Sequence, residues 1–375
     1  MSDVLLIGGG VIGLSIAYEL SGRGVTVTVV DQGPPGREAS WAGAGMLPPG
    51  PTQHVDDPAG RLRGASQRLW PDFSESLRDE TGIDNGFCRC GGLELRRGGP
   101  AEALNAEIET ARESGIEVEP LTPGDIQTCE PHLAADVSAA YRLSEMAQIR
   151  NPRHLKALLA ACAGRSVQIV SGTPVYGFDR VGEKIVGVET NTGVLSAGQF
   201  VVSAGAWSQR ILETAGCYVP TRPLRGQIVL LQMQPLPFRH ILLAGKRYLI
   251  PRPDGRILVG STEEDVGFNK QNTAAGMNGL LEFATGLVPA LADAQFERAW
   301  AGLRPRSADG LPYLGRAPGS ENLFVATGHF RDGLQLSAIT GKLIASLMLG
   351  EEPALPLDDF ACDRHQPTAE LGSGL

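Results

Sequence analysis

The stretch from Asp3 to Asp31 limits the possible folds more than any other part of the chain. A short apolar run, Val4-Leu5-Leu6-Ile7, meets Gly8-Gly9-Gly10-Val11-Ile12-Gly13. The amphipathic Leu14-Ser15-Ile16-Ala17-Tyr18-Glu19-Leu20 follows, then the run Val25 to Val30 and Asp31. The pattern reads as strand, tight turn, helix, strand. In such a turn Gly8 permits the reversal, Gly10 lets the backbone approach a pyrophosphate, and Gly13 lets the helix press on the sheet. The helix start offers N–H groups and a partial positive charge to phosphates. Asp31 lies 21 residues after Gly10, the distance at which a carboxylate closing the second strand accepts hydrogen bonds from ribose hydroxyls. An acid there disfavours a phosphorylated ribose, so NADP fits least well among the dinucleotides. The glycines alone would also suit a plain structural turn or an NAD-dependent hydroxy-acid dehydrogenase. The flanking strands, helix and terminal acid together favour a dinucleotide site over an empty turn.

The same run is a poor signal peptide or membrane span. Four glycines interrupt it, Asp3 stands where a signal carries Lys or Arg, and Glu19 ends it before roughly 20 apolar residues accumulate. At 375 residues, 42% hydrophobic and 20% charged, the chain is long enough for two cores, or one core with a large insertion. A net charge of −9 argues against nucleic acid or an anionic membrane as the main partner. The six cysteines (88, 90, 129, 162, 217 and 362) are scattered, and Cys88-Arg89-Cys90 is too tight for a zinc knuckle. No metal site is expected, and a reduced cytoplasmic protein is the simplest account.

After Asp31 come Gln32 to Gly36 and then Arg37-Glu38-Ala39-Ser40-Trp41-Ala42-Gly43-Ala44-Gly45-Met46. So many small residues suggest backbone lying close to something flat and large, with a flexible loop as the alternative. Helical spacing at Leu62, Ala65 and Leu69 is expected to break at Pro71 and resume at Phe73 and Leu77. Gly92 to Leu95 is strand-like, and Ala101 to Ser114 reads as a solvated helix. Asn151-Pro152 starts a helix running to about Ala163. Strands are expected at Val167 to Val170, Thr173 to Phe178, Ile185 to Glu189 and Gln199 to Ser203. The last ends on Ala204-Gly205-Ala206-Trp207-Ser208, a second small-residue turn, which assigns this block to the nucleotide-binding sheet. Leu224 to Leu231 is strand-like. Tyr248 to Ile250 and Ile257 to Val259 form a hairpin through Pro253-Asp254-Gly255-Arg256. That antiparallel unit departs from the alternation of strand and helix and marks a second, sheet-rich domain inserted into the first. Leu323 to Ala326 is a strand, and Gly328-His329-Phe330-Arg331-Asp332-Gly333 turns into a long helix reaching about Leu349.

With those residues in view, the chain resembles the D-amino-acid oxidase family of FAD flavoproteins, and within it the glycine oxidase branch that serves thiamin thiazole synthesis. The resemblance covers nearly the whole chain. It rests on Gly8 to Gly13 with Asp31, on Arg37 to Met46, on Tyr248-Leu249-Ile250-Pro251-Arg252, on Gly260-Ser261-Thr262, on Ala301-Gly302-Leu303-Arg304-Pro305 and on Gly328 to Gly333. It implies an α/β fold: a Rossmann-like FAD-binding domain of the glutathione-reductase type from residues 1–85, 150–218 and 299–365. An inserted α+β substrate domain would take 86–149 and 219–298, leaving 366–375 as a disordered tail. It further implies oxidation of glycine or another small amine by oxygen, in a homo-oligomer.

Carried over position by position, Gly8, Gly10, Gly13 and Asp31 would hold the ADP half of FAD. Ser40, Gly45 and Met46 would approach pyrophosphate and flavin, and Val175 would lie near the adenine. Neighbours in the same motifs complete the expected cofactor set: Val11, Ile12, Gln32, Trp41, Ala42, Ala204, Gly205, Trp207, His329, Asp332, Gly333 and Leu334. Tyr248 and Arg304 match the pair that binds the substrate carboxylate, and Arg331 matches a further arginine at the flavin edge. Glu263 stands where the glycine oxidase pattern has an apolar side chain, and Asp332 replaces the commoner asparagine.

The chemistry needs a substrate Cα–H held over the flavin, an unprotonated amine and a grip on the carboxylate. Arg304 and Arg331 are permanently cationic forks suited to that grip, and Tyr248 adds a neutral donor. The cofactor carries the hard step, so no catalytic triad or paired carboxylates are required. His329 reads as a packing or locally hydrogen-bonded residue more readily than as a base. Glu263 is open to two readings, a contact to the substrate amine or an exposed strand-end acid. Oxygen and a quinone or carrier protein remain open as electron acceptors, and a flavin-binding protein without turnover is the further alternative.

Overall fold

The computed structural model describes residues 2–98 and 104–365. A six-stranded sheet organises the amino-terminal and carboxy-terminal thirds. Its order is Tyr313–Arg316, Leu323–Thr327, Ala197–Val202, Ser2–Ile7, Val27–Val30 and Gln168–Val170. All neighbours run parallel except the edge strand Tyr313–Arg316. From Val4 to Ile7 the central strand Ser2–Ile7 is apolar on both faces because both are covered, as buried parallel strands require. Val4 and Leu6 face the helices Val11–Gly22, Asn151–Gly164 and Gly333–Met348, while Leu5 and Ile7 join Phe200, Val202 and Val325 on the other side.

The first helix meets the last almost backbone to backbone. A Cβ at Gly341 would stand 2.9 Å from the Ser15 carbonyl oxygen. This close packing places the ends of strands Ser2–Ile7 and Leu323–Thr327, with the turns that follow them, along one crevice.

The sequence block 167–203 divides between two sheets rather than joining one. Gln168–Val170 and Ala197–Val202 belong to the six-stranded sheet, whereas Val175–Val181, Lys184–Thr190 and Gly193–Leu195 make their own antiparallel meander. The reason lies in the connections: turns at Gly182 and Gly193, both at positive φ, are too short for the crossovers that parallel neighbours need.

A second sheet of eight strands runs in the order Gln295–Ser307, Thr221–Gln232, Arg256–Gly260, Arg247–Pro251, Ile241–Ala244, Gly92–Arg97, Val137–Leu143 and Val118–Leu121. It is antiparallel except where Ile241–Ala244 pairs with Gly92–Arg97. Helix Ala274–Leu287 covers one face through Leu280, Ala284 and Leu287. The hairpin expected at 248–259 is present, with Leu249 opposite Val259.

Helix Pro58–Thr81 is continuous through Pro71, contrary to the expected break. Proline costs a helix one hydrogen bond, but Leu62, Trp70, Phe73 and Leu77 on the opposite side are buried. The Trp70 indole N–H also donates to the Gln335 carbonyl at 2.8 Å. Of the solvated helix expected from Ala101, Asn105–Glu113 is helical, and 101–103 lie outside the described residues, as does the tail 366–375. Among the described residues no helix is long and apolar enough to cross a membrane, and no cluster of metal-ligating side chains occurs. All six cysteines are unpaired.

Candidate active site

A cavity of about 640 Å³ runs from the Gly8 turn to the facing edge of the eight-stranded sheet. That size lies in the range of small-molecule and cofactor sites. At one end the chain reverses at Gly8, whose φ of 108° suits glycine. A Cβ at Gly8 would meet the Ser203 carbonyl oxygen at 2.6 Å, so strands Ser2–Ile7 and Ala197–Val202 approach too closely here for any side chain. Helix Val11–Gly22 starts directly on the cavity, and Ser40 Oγ accepts the Val11 N–H at 2.9 Å, pulling the 36–46 segment onto the helix start.

Asp31 closes strand Val27–Val30. Its carboxylate accepts the Gly9 N–H at 2.8 Å and the Gly33 N–H at 2.9 Å. Burial raises its pKa against the pull of those two bonds. The glycine turn, a helix N-terminus and a carboxylate with lone pairs left over form a cradle that fits a dinucleotide.

The cavity lining includes Gly8, Gly10, Val11, Ile12, Asp31, Gln32, Ser40, Ala42, Gly45, Met46 and Val175 from the expected cofactor set. Ala204, Gly205, Trp207, His329, Gly333 and Leu334 line it as well. Four expected site residues do not. Gly13 lies behind the turn, where a Cβ would stand 2.0 Å from the Gly8 carbonyl oxygen. Trp41 turns to pack edge-on against Trp300, ring centroids 5.4 Å apart. Asp332 sits at the start of helix Gly333–Met348 without a side-chain capping bond, its carboxylate 3.9 Å from Arg63. Glu263 pairs with Arg331 at the rim.

At the other end, strands Arg247–Pro251 and Gln295–Ser307, separated by two strands in the eight-stranded sheet, bring Tyr248 and Arg304 to the same cavity. Each fills space left by a glycine on the adjacent strand. A Cβ at Gly260 would lie 2.3 Å from the Tyr248 ring, and one at Gly226 would lie 2.2 Å from the Arg304 guanidinium nitrogens. Arg304 donates to the Ser261 hydroxyl at 2.7 Å and the Thr262 carbonyl at 3.1 Å. Burial lowers its pKa, and among the described residues no carboxylate lies within ion-pair distance of it. Burial raises the Tyr248 phenol, opposed by Arg304 and Ser261, so the hydroxyl stays protonated and available as a donor.

Arg331 follows a turn pinned by the Phe330 N–H on the Pro305 carbonyl, 2.8 Å. Burial raises the Glu263 carboxyl, and the charge and hydrogen bond of Arg331 outweigh it, leaving the pKa below its usual value. His329 is buried, bonds Thr340 Oγ1 at 3.1 Å and is driven down to about 3, so its ring is neutral.

Several residues that shape the site lie outside the expected set. Gly226 and Lys246 line the cavity, and a glycine amid the strand Leu224 to Leu231 was a readable sign of close approach. Lys246, at a hairpin tip, carried no such sign. Asn151 donates to the Ser40 carbonyl at 2.8 Å. Buried Arg252 donates to Ala44 O at 2.7 Å, Ile149 O at 2.9 Å and Gln148 Oε1 at 2.6 Å, which fixes the 44–46 backbone against the second sheet. Burial pulls its pKa down to about 10.

The family described as DAO, FAD dependent oxidoreductase, matches residues 3–347. The chain belongs to that family. FAD is its cofactor, and the cradle described above is the place that fits it. A glycine oxidase of Pseudomonas putida is 38% identical over 374 residues, 99% of each chain. One from Pseudomonas aeruginosa is 37% identical, covering 96% of this chain and 98% of its own. The crystal structure of glycine oxidase from Geobacillus kaustophilus superposes with a TM-score of 0.93 at 33% identity, covering 98% of this chain and 99% of that one.

Proposed function

We propose that this flavoenzyme oxidatively deaminates glycine or a related small amine, sarcosine or a small D-amino acid. The products would be the oxoacid, ammonia or the amine, and hydrogen peroxide. The observation that carries this reading is Arg304: a cation on the cavity wall whose protein partners are both neutral, beside the donor Tyr248. A desolvated cation with no carboxylate at ion-pair distance is costly, and a substrate carboxylate supplies that partner. Arg331 is the weaker candidate for this role because Glu263 already takes its charge. Glycine oxidases among the relatives support the same substrate class.

On this reading residues 1–85, 150–218 and 299–365 carry the cofactor and 86–149 and 219–298 carry the substrate, with strand Gln295–Ser307 shared, since it pairs within the eight-stranded sheet and brings Arg304 to the substrate side. FAD, when bound, accepts the two electrons removed from a C–H bond. The protein's share is to orient. Arg304 and Tyr248 dock the carboxylate from the eight-stranded sheet, so the amine-bearing carbon turns toward the 44–46 segment and the helix that begins at Gly333. The His329 ring, driven down to about 3 by burial, is too weak a base to take the substrate's proton, so the substrate must arrive with its amine already deprotonated. The unpaired thiols suit a reducing compartment such as the cytoplasm.

Oxygen uptake and peroxide release with glycine, sarcosine and D-alanine test the proposal. Uptake with at least one of them, matched by peroxide, is expected. Flavin reduction without oxygen uptake would replace the oxidase by a dehydrogenase that serves another acceptor.

A further inference from the structure

Residues 261–273, between strand Arg256–Gly260 and helix Ala274–Leu287, contain no helix or strand, yet side chains tie them to three other parts of the chain. Their base is fixed to the second sheet. Glu264 and Arg225 exchange backbone hydrogen bonds, 2.9 and 3.0 Å, and their side chains form an ion pair at 3.0 and 3.2 Å. Arg225 also donates to the Gln271 carbonyl at 2.7 Å, and Gln227 Oε1 accepts the Thr273 N–H at 2.8 Å.

Their tip crosses to the cofactor side. Phe268 packs against Trp207, ring centroids 5.3 Å apart, with the Arg210 guanidinium 4.1 Å from its ring. Lys270, two residues on, donates to both carboxylate oxygens of Glu38 at 2.8 and 2.9 Å. Glu38 belongs to the 36–46 segment, Trp207 to the turn after strand Ala197–Val202 and Arg210 to the short helix Ser208–Glu213 that follows, and all three line the cavity. Glu263, on the same stretch, holds Arg331 at the rim. One segment anchored on the substrate-side sheet therefore bridges two cofactor-side walls of the same cavity.

We propose that residues 261–273 are a strap that retains FAD, with Phe268 and Lys270 as positioning residues acting through Trp207, Arg210 and Glu38. The two contacts differ in kind. The Lys270–Glu38 pair is exposed on both sides, so salt weakens it, whereas the aromatic contact is indifferent to salt. Cofactor release has to part the strap from at least one wall. Contacts held in the closed state and lost on opening then act on the release rate more than on the rate of capture.

The test follows free-flavin fluorescence after dilution of the holoprotein, with no substrate present, so its outcome is independent of the proposed amine oxidation. Phe268→Ala should release FAD about ten- to fiftyfold faster. Lys270→Ala should release it about two- to fivefold faster, and added salt should speed release from the native protein but not from this variant. Lys270→Glu should be faster again, and Lys270→Glu combined with Glu38→Lys should return to within about twofold of native. Release from Phe268→Ala and Lys270→Ala at the native rate, or a charge-swapped double variant as leaky as Lys270→Glu alone, would overturn the proposal. Melting of the apoprotein provides the structural control: a drop that tracks release across all the variants would assign these contacts to stability alone and overturn it too.

Discussion

The guanidinium of Arg304 occupies the space that a side chain at Gly226 would take, with both terminal nitrogens 2.2 Å from where a Cβ would stand. Strand Thr221–Gln232 pairs with strand Gln295–Ser307 in a register that sets Gly226 opposite Gly302 and Leu224 opposite Arg304. The missing side chain is thus what lets a charged one cross the sheet to the cavity. Gly226→Ala should displace Arg304 and imitate its removal. Arg304→Ala itself gives up a charge-assisted bond of about 1.5–3 kcal/mol, so kcat/KM for glycine should fall about ten- to a hundredfold, mainly through KM. Both variants should keep their flavin. A Gly226→Ala enzyme with native kinetics would remove Arg304 from the substrate site.

Asp31 acts first on the backbone. Its two oxygens hold the N–H groups of Gly9 and Gly33, so Asp31→Ala loosens the glycine turn and removes the acceptor proposed for the ribose. FAD affinity should fall about tenfold or more while the substrate KM of the FAD-saturated enzyme changes little. The check is FAD titration of apoprotein by flavin fluorescence quenching. Native affinity would place the ribose elsewhere.

The pH dependence follows from two buried groups that do not titrate in the working range. His329 lies near 3, and Tyr248 is above the ordinary phenol value. Neither supplies a limb between about pH 6 and 9, so kcat/KM is expected to rise with pH as the substrate ammonium loses its proton. His329→Gln should leave that rise where it is. Stability behaves differently. The unfolded ring takes a proton near 6.5 and the folded ring only near 3, so in between the unfolded state binds more protons. The contribution of His329 is complete above about 6.5 and is lost as pH falls toward 3. His154, also driven to about 3 by burial, adds to the same loss. Thermal melting should decline across that window, and a melting temperature independent of pH there would contradict the buried neutral rings.

Glu263 neutralises Arg331 at the cavity rim, with Lys246 and Arg304 within electrostatic reach. Glu263→Gln leaves that rim more positive. Capture of an anionic carboxylate should improve by about two- to fivefold in kcat/KM at low ionic strength, and the gain should vanish in high salt. A loss of activity would instead mean that Glu263 contacts the substrate.

Much of this architecture is readable in the chain because the relevant forces are local. The reversal at Gly8, the helix that begins at Val11 and the acid at Asp31 sit within one strand-helix-strand unit, where hydrophobic period and glycine placement decide the outcome. The hairpin at 248–259 is equally local. What escaped depends on distant pairings. Nothing in the sequence around Pro71 reveals that Trp70 will find the Gln335 carbonyl and keep the helix whole. Nothing near Glu263 says that Arg331, 68 residues later, will claim it. Arg252 looks like one more arginine in a turn until three carbonyls converge on it from residues 44, 148 and 149. The split of block 167–203 into two sheets likewise follows from turn lengths weighed against crossovers, a comparison that strand propensity does not make.

The most direct test of the whole account is the visible absorption spectrum of the purified protein before and after glycine is added without oxygen, for the native chain and for Arg304→Ala. The native protein should show an oxidised flavin that bleaches, and Arg304→Ala should show the same flavin and need far more glycine to bleach it. A protein that stays colourless when supplied with FAD, or a flavin that no small amine reduces, would contradict the account.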